Sequence, residues 1–260
     1  MMESEYFTKT NLVIRRVNKK LAKSFVEKHH YTHKVSLCKV AYGLYNVENT
    51  TDEWFGEQKQ TLIGVVIYSH PVGRSTAESI SEKLKIDEVL ELIRLVILDG
   101  YGKNIESYFI SKSIDLLKKD FSKIKCIVSY ADAEQGHSGI IYQATNFLYQ
   151  GKSSVALMPN YSVSLSPPPN YKWMHSRTVS SKYGSHNVEH LKKSIGSTFW
   201  RKKESSKHRY FLLICDKKER KQILKNLKHP TLSYPKKSDF SEEIEQIDVN
   251  PTNKEKEFFI

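Results

Sequence analysis

Residues 125–151 read KCIVSYADAEQGHSGIIYQATNFLYQG, and the fold turns on them. Cys126 to Tyr130 is a short apolar run of strand type. Asp132, Gly136, His137 and Gly139 follow in one loop. Ser138 stands where it can cap a short helix carrying Tyr142 and Gln143. A second aromatic segment, Asn146 to Tyr149, closes at Gly151. Polar groups on a loop at the carboxyl end of a strand occupy the place where an α/β sheet commonly puts its chemistry. The same Asp and His equally suit a loop whose side chains only satisfy its own backbone. Pattern alone leaves both readings open.

Upstream, Val89 to Leu98 is the most apolar strand and the natural centre of a sheet. Glu91 and Arg94 stand out in it, because a charge in such a strand must be paired or reach a ligand. The loop Asp99 to Asn104 leads into a helix over 104–119, in which Ile110, Ile114 and Leu117 mark one face. Nearer the start, Leu12-Val13-Ile14 reads as a strand and Asn18 as the N-cap of a helix. Leu21 and Phe25, with Ala22 and Val26, give that helix its apolar face, and it delivers His29, His30 and Tyr31 at its end. Runs at 37–45 and 61–68 form a hairpin across a polar turn at 49–55. Residues 74–87 read as a polar connection.

Downstream, 152–171 holds Pro159 and Pro167-Pro168-Pro169 and reads as an extended connector. His208 to Cys215 reads as a last strand and Asp216 to Leu227 as a short basic helix. After Pro235 the composition is that of a disordered acidic segment. The order is that of an α/β protein (α+β mixed sheet with helices on its faces). Its organisation is a catalytic core over 1–151, a basic aromatic region with a returning strand over 152–235, and a tail over 236–260.

With 260 residues, 39 % hydrophobic and 11 % aromatic, the chain can bury a real core. No apolar run approaches a membrane span and no signal-peptide pattern opens it, so a soluble cytoplasmic protein without a membrane partner is expected. Cys38, Cys126 and Cys215 lie far apart in apolar runs, which reads as buried thiols. There is no CxxC pair for a zinc site. The net charge of +12 is unevenly placed: residues 172–228 hold sixteen Lys and Arg against four acidic residues. Such a concentration favours a polyanionic partner, nucleic acid first.

The run LELIRLVILDGYGKNIESYF, followed by SYADAEQGHSGIIYQATNFLYQG, resembles the Mom family of phage DNA adenine-modification proteins, which are built on the GNAT (acetyltransferase-like) fold. The resemblance resumes at His29-His30-Tyr31, at KHRYFLLI and at HPTLSYPK, and touches most of residues 12–236. It implies a GNAT-like fold with a basic C-terminal extension, in a phage or prophage enzyme that converts adenine in DNA to an N6-carbamoylmethyl-type form. The implied consequence is protection of DNA from restriction. The partners it implies are double-stranded DNA and a small-molecule donor; a homodimer is a further expectation. The alternatives are a GNAT N-acyltransferase acting on a protein or small amine, and a non-enzymatic DNA-binding protein on a GNAT scaffold.

The resemblance carries Tyr31, Asp132 and Tyr142, with the adjacent His30, to the active site. The exocyclic amine of adenine is a poor nucleophile and must lose a proton as it attacks, so Asp132 is the expected general base. Tyr142 can donate to developing charge, His30 can relay a proton or orient Asp132, and Tyr31 and Tyr142 can instead stack a base. The resemblance also makes Arg94 and Ser107, with Gly102, Lys103 and Asn104 in the loop between them, the expected site for acetyl-CoA or another acyl or glycyl donor. Helix N-termini suit such anions. Ile105 stands where the usual GNAT loop has its second glycine. The resemblance admits iron as well, on Tyr31, Asp132 and Tyr142, although these three residues do not themselves form a ligand-spacing signature such as HxD or HxxxH. For DNA the expected contacts are Arg177, Lys192, Lys193, Arg201, Lys202, Lys203, Lys207 and Arg209, interleaved with Trp173 and Trp200.

Overall fold

A computed structural model describes residues 11–30, 32–35, 37–49, 58–133, 136–153, 160–204, 206–236 and 244–249. The chain divides into two compact units. The large unit comprises Met1–Ala131, Ser138–Gly151 and His208–Lys236; the small one comprises Asp132–His137, Lys152–Lys207 and Lys237–Ile260.

The large unit is built on a seven-stranded mixed sheet. In chain order its strands are β1 (Leu12–Val17), β2 (Val40–Asn49), β3 (Gln58–Ser69), β4 (Val89–Ile97), β5 (Cys126–Ala131), β6 (Leu148–Lys152) and β9 (His208–Leu213). In space they run β1-β2-β3-β4-β5-β9-β6, with β4 at the centre as its apolar sequence requires. The first four are antiparallel neighbours, β4 and β5 are parallel, and β9 returns antiparallel to β5. This is the mixed sheet with helices on its faces expected from the sequence.

Alternation along the strands divides the core into layers. Val66 and Tyr68 of β3 join Tyr42, Leu90 and Ile127 beneath α3 (Ile105–Asp120), which contributes Phe109, Ile110, Ile114 and Leu117. Val65 and Ile67 point the other way, into the layer that takes Ala22, Phe25 and Val26 of α1 (Lys19–His29). Asn18 caps α1, its side chain accepting from the Leu21 N–H at 2.8 Å. Leu21 itself is exposed, so the apolar stripe of α1 is narrower than its spacing suggested. Inside the core the Tyr68 hydroxyl meets Ser113 Oγ at 2.7 Å, which satisfies both buried groups.

The polar connection expected over 74–87 is a correction. It contains α2 (Thr76–Ile80) and a short 3-10 turn at Ile86–Glu88. Ala77, Ile80 and Leu84 recur at helical spacing and are buried with Val89, Cys126 and Phe211. The surrounding Ser, Glu and Lys masked that spacing. α7 (Lys217–Lys225) adds Ile223 to the same layer, and Asp216 caps it through the Glu219 N–H at 2.9 Å. Cys126 is buried, while Cys38 and Cys215 are half-buried. Among the described residues no helix is long and apolar enough to cross a membrane.

The small unit carries a three-stranded sheet in the order β10-β8-β7, formed by β7 (Tyr161–Ser164), β8 (Phe199–Lys203) and β10 (Ile244–Ile247). Two helices, α5 (Ser176–Tyr183) and α6 (Val188–Ile195), supply Val179 and Leu191 to a core with Val163 and Phe199. The tail, expected to be disordered after Pro235, therefore carries a strand at 244–247. Arg201 pairs there with Glu245 through the ladder, which polar composition alone does not reveal.

Candidate functional site

The centre of the large sheet is interrupted twice. Ile67 of β3 faces Arg94 of β4 and Tyr68 faces Leu92, leaving Ile93 as an extra residue in a β-bulge. The β4–β5 ladder holds only Val89 to Glu91 against Cys126 to Val128, although both strands continue. Ser129 Oγ donates to the Leu92 carbonyl at 3.0 Å just beyond its end. A bulge and an opened ladder expose main-chain groups in mid-sheet, where an extended ligand can use them. Arg94 does not stand over that opening as a free cation. Its Nη1 donates to the Ile93 carbonyl at 2.7 Å and its Nε to the Lys34 carbonyl at 3.2 Å.

After β4 the chain turns through three left-handed residues, Gly100, Gly102 and Asn104, with φ of 93°, 88° and 66°. Asn104 begins α3 without a side-chain cap, and Ser107 Oγ donates to its carbonyl at 3.0 Å. The first amides of α3 are thus left for another acceptor. Beside this helix start lies a groove of about 790 Å³. Lys103, Asn104, Ser107 and Ser111 line one side of it, and Thr145 and Asn146 line another part. Uncapped amides beside Lys103 fit a phosphate-bearing group such as coenzyme A, while Lys112 is already paired at 3.7 Å with Asp115 of the same groove. The departure at Ile105 does not obstruct this groove, because its side chain is buried in the core beneath α3. Three of the five expected cofactor residues line the groove; Gly102 shapes the turn before it, and Arg94 is not among its lining residues.

The short helix α4 (Ile140–Gln143) starts at Gly139, not under a Ser138 cap as expected. Gly139 holds φ +80°, and a Cβ there would overlap the Tyr210 ring, so both backbone and space require glycine. Ser138 contributes its carbonyl instead, accepting from the Tyr210 hydroxyl and from Gln143 Nε2 at 3.2 Å. Tyr142 is buried, its ring 5.5 Å from Phe147 and 5.4 Å from Tyr210. Tyr149 lies 5.0 Å from Tyr210 and its hydroxyl meets His208 Nδ1 at 2.8 Å. Burial pushes the Tyr149 and Tyr210 phenols up from their ordinary value. Sequence reasoning gave Tyr149 and Tyr210 no role. Their signal was present in FLYQG and KHRYFLLI, whose aromatics read only as strand residues.

The other expected catalytic residues are spread over both units. His30 ends α1 in the large unit, where its Nδ1 meets the Thr32 N–H at 3.0 Å and hydroxyl at 2.8 Å. Tyr31 lies outside the described residues. Asp132 opens the 132–137 segment of the small unit, with a half-buried carboxylate 3.3 Å from Lys207 Nζ. Its carbonyl accepts from the His137 N–H at 3.1 Å. Lys207, expected to contact phosphate, is thus also the neighbour of the expected base.

Among the described residues no group of three or more His, Cys, Asp or Glu side chains could hold a metal ion. Tyr142 is packed among rings, and one ring nitrogen of His30 is engaged by Thr32. The iron set expected from the sequence includes Tyr31, which lies outside the described residues, and no step is assigned to iron.

The basic residues are sorted by the fold. Arg177 and Lys193 are exposed on α5 and α6, and Lys192 pairs with Glu189 at 3.1 Å. On β8, Arg201 is held by Glu245 and lies 4.1 Å over the Tyr161 ring, Lys202 lies 5.0 Å over Trp173, and Lys203 is exposed. Arg209 is the exception and a correction: on β9 of the large unit it is buried, donating to Ser79 Oγ at 3.0 Å. Burial pulls its guanidinium down from its ordinary value, and so placed it offers no surface charge to DNA.

Known proteins add to this geometry. Among solved structures, spermidine N-acetyltransferase from Vibrio cholerae, in complex with CoA and spermine, is 9 % identical and covers 79 % of this chain and 96 % of its own, with a TM-score of 0.42. A GNAT-family acetyltransferase from Bacillus anthracis is 12 % identical over 80 % of this chain and 98 % of its own, with a TM-score of 0.38. Methylcarbamoylase mom of Escherichia phage Mu is 22 % identical over 132 residues. That match takes in 50 % of each protein, so the chain spans about half the length of this relative. The model of the Mom protein family matches residues 11–236, nearly the whole of the described chain, and this protein belongs to the Mom family.

Proposed function

We propose that this protein is a transferase that modifies adenine in DNA, adding a carbamoylmethyl-type group at N6, and that the modification shields phage DNA from restriction. The observation that carries the reading is the family match over residues 11–236, which takes in every strand of the large sheet and the whole 125–151 segment. The relative named Methylcarbamoylase mom supports the kind of group transferred.

The roles follow from chemistry. Asp132 accepts the proton that adenine N6 loses as its new bond forms. Lys207 beside it holds the carboxylate in place and offers a cation to a nearby phosphate. Tyr142, set by Phe147, Tyr210 and the Gly139 turn, is a rigid ring and hydroxyl for the base or for developing charge. His30 and Tyr31 complete the set carried over from the family. The α3 groove seats the donor, with Lys103, Asn104 and Ser107 toward its phosphates. A coenzyme A thioester bound there would form an amide at N6 and release the thiol, whereas a carbamoylmethyl product needs a donor that delivers its methylene carbon to N6 and carries the leaving group on that carbon. The exposed cations of the small unit hold the DNA backbone.

Nucleoside mass spectrometry of DNA from cells expressing this chain tests the proposal. The expected result is a new adenosine species that falls at least about 100-fold with Asp132→Asn while DNA binding persists, the range of a lost general base. Unmodified adenosine throughout, with the protein folded and abundant, would overturn the reading. Equal loss of modification and DNA binding in the variant would remove Asp132 from the role of base.

A further inference from the structure

The two faces of the three-stranded sheet in the small unit differ in kind. One is covered: Phe199 of β8 and Val163 of β7 are buried with Val179 of α5 and Leu191 of α6. Side chains alternate along a strand, so Trp200 and Lys202 point away from that core. The ladder places them beside Ser164 and Ser162 of β7 and Gln246 and Ile244 of β10. Tyr171 and Trp173 reach the same side. Trp173 stacks on Tyr171 with centroids 4.8 Å apart and planes at 27°, and Trp200 stands edge-on to Tyr171 at 6.4 Å and 63°. Lys202 Nζ lies 5.0 Å from the Trp173 ring centre.

None of these three aromatics belongs to the apolar core of the unit, and each keeps part of its surface in solvent. Gln246 and Ile244, on the same face, are exposed. Flat rings left at the surface of the basic 152–207 segment ask for a partner that is both flat and anionic. Charge complementarity selects among the candidates, since the 152–207 segment that carries these rings holds ten cations against two anions. An apolar protein surface would satisfy the rings but not the charge, and an intact duplex would satisfy the charge but keep its base faces stacked. A strand with unpaired bases satisfies both.

We infer that Tyr171, Trp173, Trp200 and Lys202 form a stacking platform for unpaired nucleobases of DNA. The inference rests on the DNA-modification reading above and sharpens it. An enzyme acting on a base nitrogen must draw the base from the duplex or work on single strands, and either route leaves unstacked bases to be held. Trp200 and Lys202 are two residues apart on one face, about 6.6 Å. A base laid on the indole therefore brings its own phosphate within reach of the ammonium.

The test compares a short single-stranded oligonucleotide with an abasic strand of the same length and charge, both titrated against the full chain while tryptophan fluorescence is followed. Stacking predicts that the base-bearing strand quenches the fluorescence and binds at least about tenfold more tightly, the range of one or two stacked bases. Trp200→Ala and Trp173→Ala should bring its affinity down to that of the abasic strand without changing the salt dependence, which reports phosphates alone. The wild-type comparison needs no variant, so misfolding of a tryptophan mutant cannot obscure the answer. Equal affinity for the two strands, with salt-sensitive DNA binding and adenine modification retained, would overturn the platform and leave the modification reading standing. Absence of binding to either strand and to duplex at low salt, with no modified adenosine, would overturn both.

Discussion

Phe109 in the large unit and Phe199 in the small one are both fully buried, yet they sit in cores of different extent. Phe109 belongs to a cluster of twenty buried residues among those described; Phe199 belongs to one of four. The large core carries a bulged central strand, an opened ladder and an uncapped helix start, because extensive apolar packing holds the sheet around them. The small unit concentrates cations and surface rings in its 152–207 segment and depends on a handful of apolar side chains. A small core leaves little margin once chain entropy is met. Polar chemistry set into a sheet thus needs a large core behind it, while a charged surface needs only a scaffold.

The sharpest way to break this comparison is to empty each core. Phe109→Ala and Phe199→Ala should each cost about 3–5 kcal/mol. Their reach should differ under hydrogen exchange. Phe199→Ala should strip protection from β7, β8 and β10 while β4 and β5 keep theirs; protection lost evenly across both sheets would refute the separation. A smaller effect is expected at Glu88 in the large unit. Its buried carboxylate accepts from the Lys85 N–H at 2.9 Å and pairs at 2.8 Å with Lys125, which also reaches Glu219. Burial pushes the Glu88 carboxyl up, but the Lys125 and Lys85 hydrogen bonds more than offset it and hold it below the usual carboxylate range. A depressed carboxylate stabilises the fold above its unfolded pKa and loses that contribution as pH falls through its folded value. Glu88→Gln should therefore cost about 1–3 kcal/mol at neutral pH. It should also flatten the acid side of a plot of Tm against pH; an unchanged acid side would show that the pair does not act on stability. The smallest change in stability belongs to the exposed cations. Lys193→Glu with Lys203→Glu should alter stability by less than about 0.5 kcal/mol. The same pair should make the salt dependence of DNA binding shallower by about one unit of slope for each phosphate no longer neutralised. An unaltered slope would remove these residues from the interface.

Much of the large unit was legible beforehand. Asn18 as a cap, the apolar face of α3, the central β4 and the late return of β9 all follow from periodicity, since a repeating apolar position records which side of an element meets the core. The candidate site was legible in part. Gly102, Lys103, Asn104 and Ser107 were expected from the family resemblance, and the last three line the α3 groove. Tyr149 and Tyr210 were missed because an aromatic inside a strand looks the same whether it pads a sheet or frames a site. Polar flanks hid α2, and a residue composition typical of disorder hid β10.

By itself the sequence determined the α/β order of elements, the central strand, the glycine turn into α3 and the concentration of positive charge in one quarter of the chain. These are local properties, carried by spacing and by residue type. Only the tertiary structure decided that Ile93 bulges, that the β4–β5 ladder stops at Glu91, that Gly139 gives way to Tyr210 and that Lys207 stands beside Asp132. It also decided that Arg209 is buried while Trp200 faces outward. Each of these depends on which distant residue lies opposite. The period of a strand states that its side chains alternate, and the pairing of strands far apart in sequence decides what each face meets.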